Sequence, residues 1–566
     1  MSFTRRTYEV LQRFKDLGKL KRLRTFIALR LYSSPWAAYC YLSKNVLHKA
    51  LLKLRGVRVL SLSAGVDGEA EEEFTSLSEL TLWNCPKLHG KFPSCLPSCV
   101  KITIGKCPIL VDSDEKLPVH SELKLEECDE VTPKCMFYNP SLITLKLGSM
   151  SRLTCLEGQF LRSLGALKVL MISDFPELTY LWQKGTELEN FEHPQFVSLT
   201  EIGMPSTRKS SKLSGCGKLD LLPIHRVHML LSLEDLCIES CPNLVSIPEV
   251  GLLSSLRHLV LRDCKALGSL PDGMSSCPLE CLEIEECPSL KCFPGGMLPL
   301  TLKGLKIRYC TELKSLPEGL MHNKNGSGTL CHFEHLEIIG CPSLTSFPDG
   351  KLPPRLKTLK IWDCSQLKPL SEMMLHDNMS LEYVAISDCE VLSSFPECIG
   401  SFKHLSELNL SNCSALKFIP GDGFSLANLR TLTIYNCKNL ESLPKAMRKL
   451  TSLQELTICS CPALKAFPKG DMPPNLTSLE IWDCDGLDGC LSEWNLQSLA
   501  FLRDFSIAGG CFSDTVSFPD EKWLLPTTLT SVWIGRLPNL ESLSMQLQSL
   551  AYLEELEIVD CPKLKS

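Results

Sequence analysis

Apolar side chains recur along this chain in one fixed frame. From Leu233 the residues read LEDLCIESCPNLVSIPE, which reduces to L-x-x-L-x-I-x-x-C-P-x-L-x-x-I-P. The frame returns at Leu256–Cys264, Leu279–Cys287 and Leu302–Cys310, each cysteine 23 residues after the last. Further copies end at Cys341, Cys364, Cys389, Cys413, Cys437, Cys461, Cys484 and Cys561, and upstream copies at Cys85, Cys107 and Cys128. Six weaker copies keep the apolar positions but put Gly65, Met150, Phe175, Thr207, Gly510 or Leu537 where the cysteine stands. Fifteen cysteine copies and six others give about 21 rungs.

The spacing dictates a local structure. In LEDLCI, Leu236 and Ile238 alternate with Asp235, Cys237 and Glu239, the period of a strand with one buried face. Leu233 and Leu244 turn inward on either side. So short a strand cannot bury its face alone, so rungs must stack into a parallel sheet. The second half of each rung carries proline at fixed places, which predicts loops and turns on the outer side. Narrow strands against wide connections predict curvature. This is the pattern of a leucine-rich repeat. The expected fold is an α/β repeat solenoid: a leucine-rich-repeat horseshoe with a concave parallel β-sheet and a mostly loop-and-turn convex face. It runs over residues 57–566 and is irregular near 176–232 and 488–528. The Ser/Lys-rich run STRKSSKLSGCGK reads as a loop excursion.

Residues 1–56 depart from the frame. In SKNVLHKALLKLR, Val46, Leu47, Ala50, Leu51 and Leu54 share one helical face, with Ser43 placed to cap it. LKRLRTFIAL ahead of it reads as a degenerate edge rung. Together they form an N-terminal capping segment. Charge separates this end from the rest. Thirteen Lys and Arg stand against Glu9 and Asp16 through Arg55, a balance of +11; the whole chain carries −6, so the remainder carries −17. Arg13, Lys15, Lys21, Arg22 and Arg24 are the candidate docking residues of that basic end. An overall acidic balance gives no general pull toward nucleic acid. No apolar run approaches the ~18 residues of a membrane span.

The chain holds 30 cysteines, half of them at the one rung position. Zinc needs paired ligands at short local spacing, and one cysteine per rung is not that. A small, buried thiol that bonds weakly to the strand-exit turn suits the position better. Cys241, Cys264, Cys287, Cys310, Cys341, Cys364, Cys389, Cys413, Cys437, Cys461 and Cys484 are therefore expected to be structural, reduced and free of metal. Free thiols in this number point to a reducing compartment, cytoplasmic or nuclear.

Catalytic motifs are missing from the sequence. It has no G-x-x-x-x-G-K-[ST], no H-E-x-x-H and no G-x-S-x-G. A non-enzymatic chain without cofactor follows, and function falls to the face of the sheet. Two residues before the rung cysteine, side chains point outward, and there stand Trp83, Arg262, Arg308, Trp362, Tyr435 and Trp482, with Trp533 exposed one register over. Aromatics and arginines are the usual anchors of protein interfaces; the alternative is that they only cover neighbouring rungs. One residue before the cysteine, Asn84, Glu127, Asp174, Asp263, Glu286, Asp363, Asp388, Asn412, Asn436, Asp483 and Asp560 recur. Such residues serve strand-exit turns, or they form an acidic edge for a basic partner.

Two runs carry a resemblance. LRTFIALRLYSSPWAAYCYLSKNVLHKALLKLRGVRVLSLS and the frame L-x-x-L-x-I-x-x-CP-x-L-x-x-FP resemble the repeat region of plant coiled-coil, nucleotide-binding, leucine-rich-repeat immune receptors. The chain looks like a truncated member without the nucleotide-binding domain, since it has no phosphate loop, and with an internal deletion, since VLSLS and the first CP rung are adjacent here. The resemblance implies recognition of a pathogen effector or a guarded host protein through the concave face. It also implies packing of the basic end against a nucleotide-binding domain, here in trans. Sequons at Asn325, Asn378, Asn409, Asn412 and Asn475 leave a cell-surface receptor ectodomain as an alternative, and a ligase adaptor is another.

Overall fold

The computed structural model describes residues 2–3, 25–28, 59–63, 76–84, 98–107, 121–128, 141–150, 155–156, 166–178, 180–182, 210–218 and 234–247, and all but short connecting segments of 255–565. The capping helix expected at Ser43–Arg55 lies outside the described residues. The chain divides into two compact units, Met1–Leu279 and Glu280–Ser566.

In the first unit, strands from Thr25–Ala28 through Val59–Ser63, Glu79–Trp83, Lys101–Gly105, Glu122–Glu126, Thr144–Gly148, Val169–Ser173, Ser210–Ser214 and Asp235–Glu239 to His258–Arg262 each pair in parallel with the next. In the second, the same holds from Cys281–Glu285 through Gly304–Arg308, His335–Ile339, Thr358–Trp362, Tyr383–Ser387, Glu407–Ser411, Thr431–Tyr435, Glu455–Cys459, Ser478–Trp482, Asp504–Ala508 and Ser531–Gly535 to Glu555–Val559. Pairing is in register: Leu359 lies beside Leu336 and Val384, and Ile361 beside Ile338 and Ile386.

Register stacks the inward aliphatics of neighbouring rungs over one another. In the Cys364 rung, Leu356, Leu359 and Ile361 are fully buried, and Leu367 is 3% exposed. At roughly 1.5–3 kcal/mol gross for each such side chain, stacking rather than any single rung holds the strand. Slipping one residue would turn that column to solvent, so the register is specified by the pattern.

Each strand ends the same way. The residue before the rung cysteine has a positive φ: Asn84, Asp263, Asp363, Asp388, Asn412 and Asn436 all lie between 48° and 54°. Its N–H then donates to the strand-end carbonyl of the next rung, as Asp363 to Ser387 at 3.0 Å and Asn412 to Tyr435 at 2.8 Å. The left-handed region is costly for most L-residues but accessible to Asn and Asp, which is why those residues recur there.

The α/β class expected from the repeat is overturned. Among the described residues the named elements are strands and 3-10 segments of three to five residues, such as Asp272–Ser276, Glu318–Leu320 and Met545–Ser549. The array is a β-solenoid and not an α/β horseshoe. Pro271 and Pro317, both in extended backbone, stand directly before two of these segments. Proline interrupts these connections, and here turns and 3-10 segments close them.

A second correction concerns the rung placed at Thr207. The strand that fills this gap is Ser210–Ser214, paired on both sides. It is followed by Gly215 at φ +64 and by the fully buried Cys216. The Ser/Lys-rich run is thus in part a rung and not an excursion.

Candidate functional site

In Thr358–Trp362 and Thr431–Tyr435, as in most described strands of the main sheet, the first, third and fifth residues face outward and the second and fourth are buried. The rung cysteine follows two residues later, inside the stack. Its thiol donates to the carbonyl at the end of its own strand: Cys107 to Gly105 at 3.1 Å, Cys413 to Ser411 at 3.3 Å, Cys484 to Trp482 at 3.3 Å. Several reach the previous rung as well, Cys413 toward Ile386 and Cys484 toward Ile458, both at 3.7 Å. Burial pushes the Cys310 thiol up to about 11 and those of Cys341, Cys364 and Cys389 up to about 12. Cys413 and Cys461 are driven up by thiol–thiol hydrogen bonds with Cys437 and Cys484, and then by burial. Cys241, Cys264 and Cys287 are likewise buried thiols outside any disulfide. No cluster of three or more metal-ligating side chains occurs among the described residues.

The seven outward candidates do not form one site. In the first unit, Trp83 lies across the backbone of Gly105, its register partner, where a β-carbon would collide with the indole. Arg262 ends the last strand of that unit, half-buried. The other five belong to the second unit. Arg308 is tied into an ion network: its guanidinium meets Glu337 at 2.7 Å, Glu283 at 3.9 Å and Glu285 at 4.0 Å. Glu337 and Glu283 sit on the rungs after and before it, and Glu285 is its register partner. That arginine is engaged within the sheet face.

Beyond Arg308 the face changes character. Trp362 is 40% exposed and Tyr435 is 48% exposed, high values for large rings on a paired sheet. Between them, Tyr383 takes Lys360 over its ring at 5.3 Å and accepts a hydrogen bond from Asn409 Nδ2 at 3.2 Å. Further on, the Trp482 indole N–H donates to Ser506 Oγ at 2.7 Å, and its ring lies 5.1 Å from that of Trp533. Trp533 in turn covers Gly535 on its own strand. Trp83, Trp482 and Trp533 therefore pack against neighbours on the sheet, whereas Trp362 and Tyr435 keep a larger share of their rings in solvent.

Sequence reasoning missed Tyr383 and Ser506 and read Asn409 only as a sequon. The signal was available: aligned by register, Ser506 falls beside Trp482's neighbour Glu480, and Tyr383 beside Thr358 and Glu407. Conversely, Arg13, Lys15, Lys21, Arg22 and Arg24 lie outside the described residues.

Residues 331–561 match the leucine-rich repeat region family. A stretch of 97 residues, 17% of this chain, is 39% identical to a putative disease resistance protein of Arabidopsis thaliana, and spans 7% of that relative. Among solved structures, the leucine-rich repeat domain of the type III effector XopL is similar at 24% identity and a TM-score of 0.33, over 44% of this chain and 76% of that one. The plant peptide hormone receptor RGFR1 in complex with RGF2 is similar at 16% identity and 0.27, over 88% and 92%. Among the described residues no helix is long and apolar enough to cross a membrane. The chain carries a leucine-rich-repeat region, a protein-interaction scaffold of a class that is generally non-catalytic.

Proposed function

We propose that this chain is a recognition module related to plant intracellular immune receptors, and that it holds a pathogen effector or a guarded host protein on the outward face of its second unit. The observation that carries this reading is the pair of rings Trp362 and Tyr435, 40% and 48% exposed at the outward ends of paired strands, whereas Trp482 and Trp533 are packed against each other. Exposed rings on rigid strands lose little conformational freedom on binding, which is what an interface anchor requires. The 39% identity to a putative disease resistance protein supports the immune setting. In that setting a cytoplasmic location follows, with a nucleotide-binding domain docked in trans on Arg13, Lys15, Lys21, Arg22 and Arg24.

The sequons supply a second reading, a cell-surface ectodomain. Against it stand the internal bonds of three of those asparagines. Asn409 donates to Tyr383, Asn475 donates to the Thr451 carbonyl at 2.7 Å, and Asn412 accepts from Asn436 at 2.7 Å.

A photo-crosslinking phenylalanine at position 435 or 362, expressed in plant cytosol during pathogen challenge, tests the face directly. Adducts should form there and not from the same residue at the exposed Phe501 on a connection. Equal adducts from all three positions would remove the face as the site. Glycans on the mature protein would transfer the reading to the cell surface.

A further inference from the structure

The second unit's face is divided by charge. On its first four strands, Cys281 to Trp362, the outward and strand-exit carboxylates Glu283, Glu285, Glu286, Glu337 and Asp363 stand among the cations Lys306, Arg308 and Lys360 and the imidazole of His335. The next six strands, Tyr383 to Ala508, are different. Their outward and strand-exit positions carry Asp388, Glu407, Glu455, Glu480, Asp483 and Asp504, and no Lys, Arg or His. Glu455 and Glu480 accept from the hydroxyls of Thr431 and Thr457 at 3.2 and 3.5 Å, and Asp388 from that of Ser387 at 2.5 Å. Arg536 reaches Asp483 at 2.7 Å from two rungs away. Arg536 offsets Asp483, but hydroxyls orient the other bonded carboxylates without neutralising them, so the patch keeps a negative field. Tyr383, Tyr435 and Trp482 are interleaved with these acids.

We propose that this acidic, aromatic stretch is the docking surface for an extended, arginine-bearing segment of a protein partner. The inference rests on the sheet face being the recognition surface and adds the chemistry of what it takes. Charge complementarity selects the sign, and rings beside carboxylates select a planar cation: a guanidinium stacks on a tyrosine or indole face while its edge forks a carboxylate. Lys360 over the Tyr383 ring already shows a cation held by this face at its boundary. Six strands spaced roughly 4.8 Å apart span roughly 24 Å, the length of about seven extended residues.

Fluorescence anisotropy on the full chain, with labelled peptides of four Arg-Ser, Lys-Ser or Glu-Ser repeats, tests this. The Arg-Ser peptide should saturate, bind several-fold more tightly than Lys-Ser, and weaken with salt; Glu-Ser should not bind. The triple variant Glu407→Gln, Glu455→Gln, Glu480→Gln should weaken binding about tenfold, and Tyr435→Ala about fivefold. A control triple on connections, Glu312→Gln, Glu318→Gln, Glu441→Gln, removes the same charge and should change affinity less than about twofold. Equal losses in the two triples, no saturation, or equal binding of Glu-Ser would overturn the proposal. Crosslinks at position 435 without Arg-Ser binding would reject the partner's chemistry and leave the face as the site; no crosslinks would reject both.

Discussion

The indole Nε1–H of Trp482 donates to Ser506 Oγ across one rung at 2.7 Å. Ser506 is 8% exposed, and the Trp533 ring lies against that of Trp482 with centroids 5.1 Å apart. Three successive rungs therefore fix one aromatic, by a hydrogen bond and by ring contact. The result is a rigid aromatic floor two rungs along the sheet from the exposed ring of Tyr435. Preorganisation of this kind reduces the ordering cost of binding.

Ser506→Ala removes the acceptor and leaves a half-buried indole N–H without its partner. We expect a loss of about 1–2 kcal/mol in urea unfolding, together with a shift in tryptophan emission. Replacement by threonine should restore both, because the hydroxyl returns to the same strand position. Unchanged emission in Ser506→Ala would show that the bond does not hold the ring.

Arg308 is a stability residue, on the geometry of its network. Its partner Glu283 is only 8% exposed, and removing the guanidinium leaves that carboxylate buried among fewer cations. Arg308→Ala should cost about 2–4 kcal/mol, while Trp362→Ala, on a 40% exposed ring, should cost less than about 1 kcal/mol. Crosslinking at position 435 should survive the first change whenever the protein is folded. The opposite ranking of stabilities would return Arg308 to the list of partner anchors.

Tyr309 and Gly340 form a matched pair at successive strand exits. Both have positive φ, 55° and 64°, and a β-carbon at Gly340 would stand 2.5 Å from Tyr309 Cδ1. Gly340→Ala should cost about 2–3 kcal/mol from backbone strain and collision together. In a Tyr309→Ala background the collision is gone, so the same substitution should cost about 1–2 kcal/mol. Additive costs in the double-mutant cycle would show that the ring moves aside freely.

Much of this fold was legible because its information is local. The alternation that buries Leu359 and Ile361 is written in five residues, and the cysteine frame repeats it until register is unambiguous. The weak rung was misplaced for a physical reason. Ser211 occupies the register position of Leu170 and Leu236, so only Leu213 and Cys216 were left to signal Ser210–Ser214. The α/β class failed because a proline-bearing connection can close with turns and 3-10 segments as well as with a helix. The aspartates and asparagines at strand exits were visible, but their left-handed φ is a backbone property that the pattern does not state. At the candidate site, residue type gave the aromatics and the arginines. Which of them lie flat, and which acids lack cations, depends on the neighbouring rung.

The cysteine ladder makes the last prediction, and its sign is set by burial. The ordinary thiol value is 9.0, and desolvation pushes Cys310 up to about 11 and Cys341, Cys364 and Cys389 up to about 12. Between pH 9 and 12 the unfolded chain has released these protons while the folded chain retains them. The folded state binds more protons there, so stability is fully present below pH 9 and falls as pH rises through that window. The urea midpoint should therefore drop steeply between pH 9 and 10.5. Cys341→Ala with Cys364→Ala should lower stability at pH 8 by about 2–4 kcal/mol and flatten that drop, since two of the titrating groups are gone. Lysine and tyrosine titration is common to both proteins and cancels in the difference. Thiol labelling at pH 8 should follow the same division, fast at the exposed Cys292 and slow at the rung cysteines until the chain unfolds. A constant gap between parent and variant from pH 8 to 10.5 would mean that the rung thiols ionise as readily in the fold as out of it, and the ladder would lose its role as a buried, neutral spine.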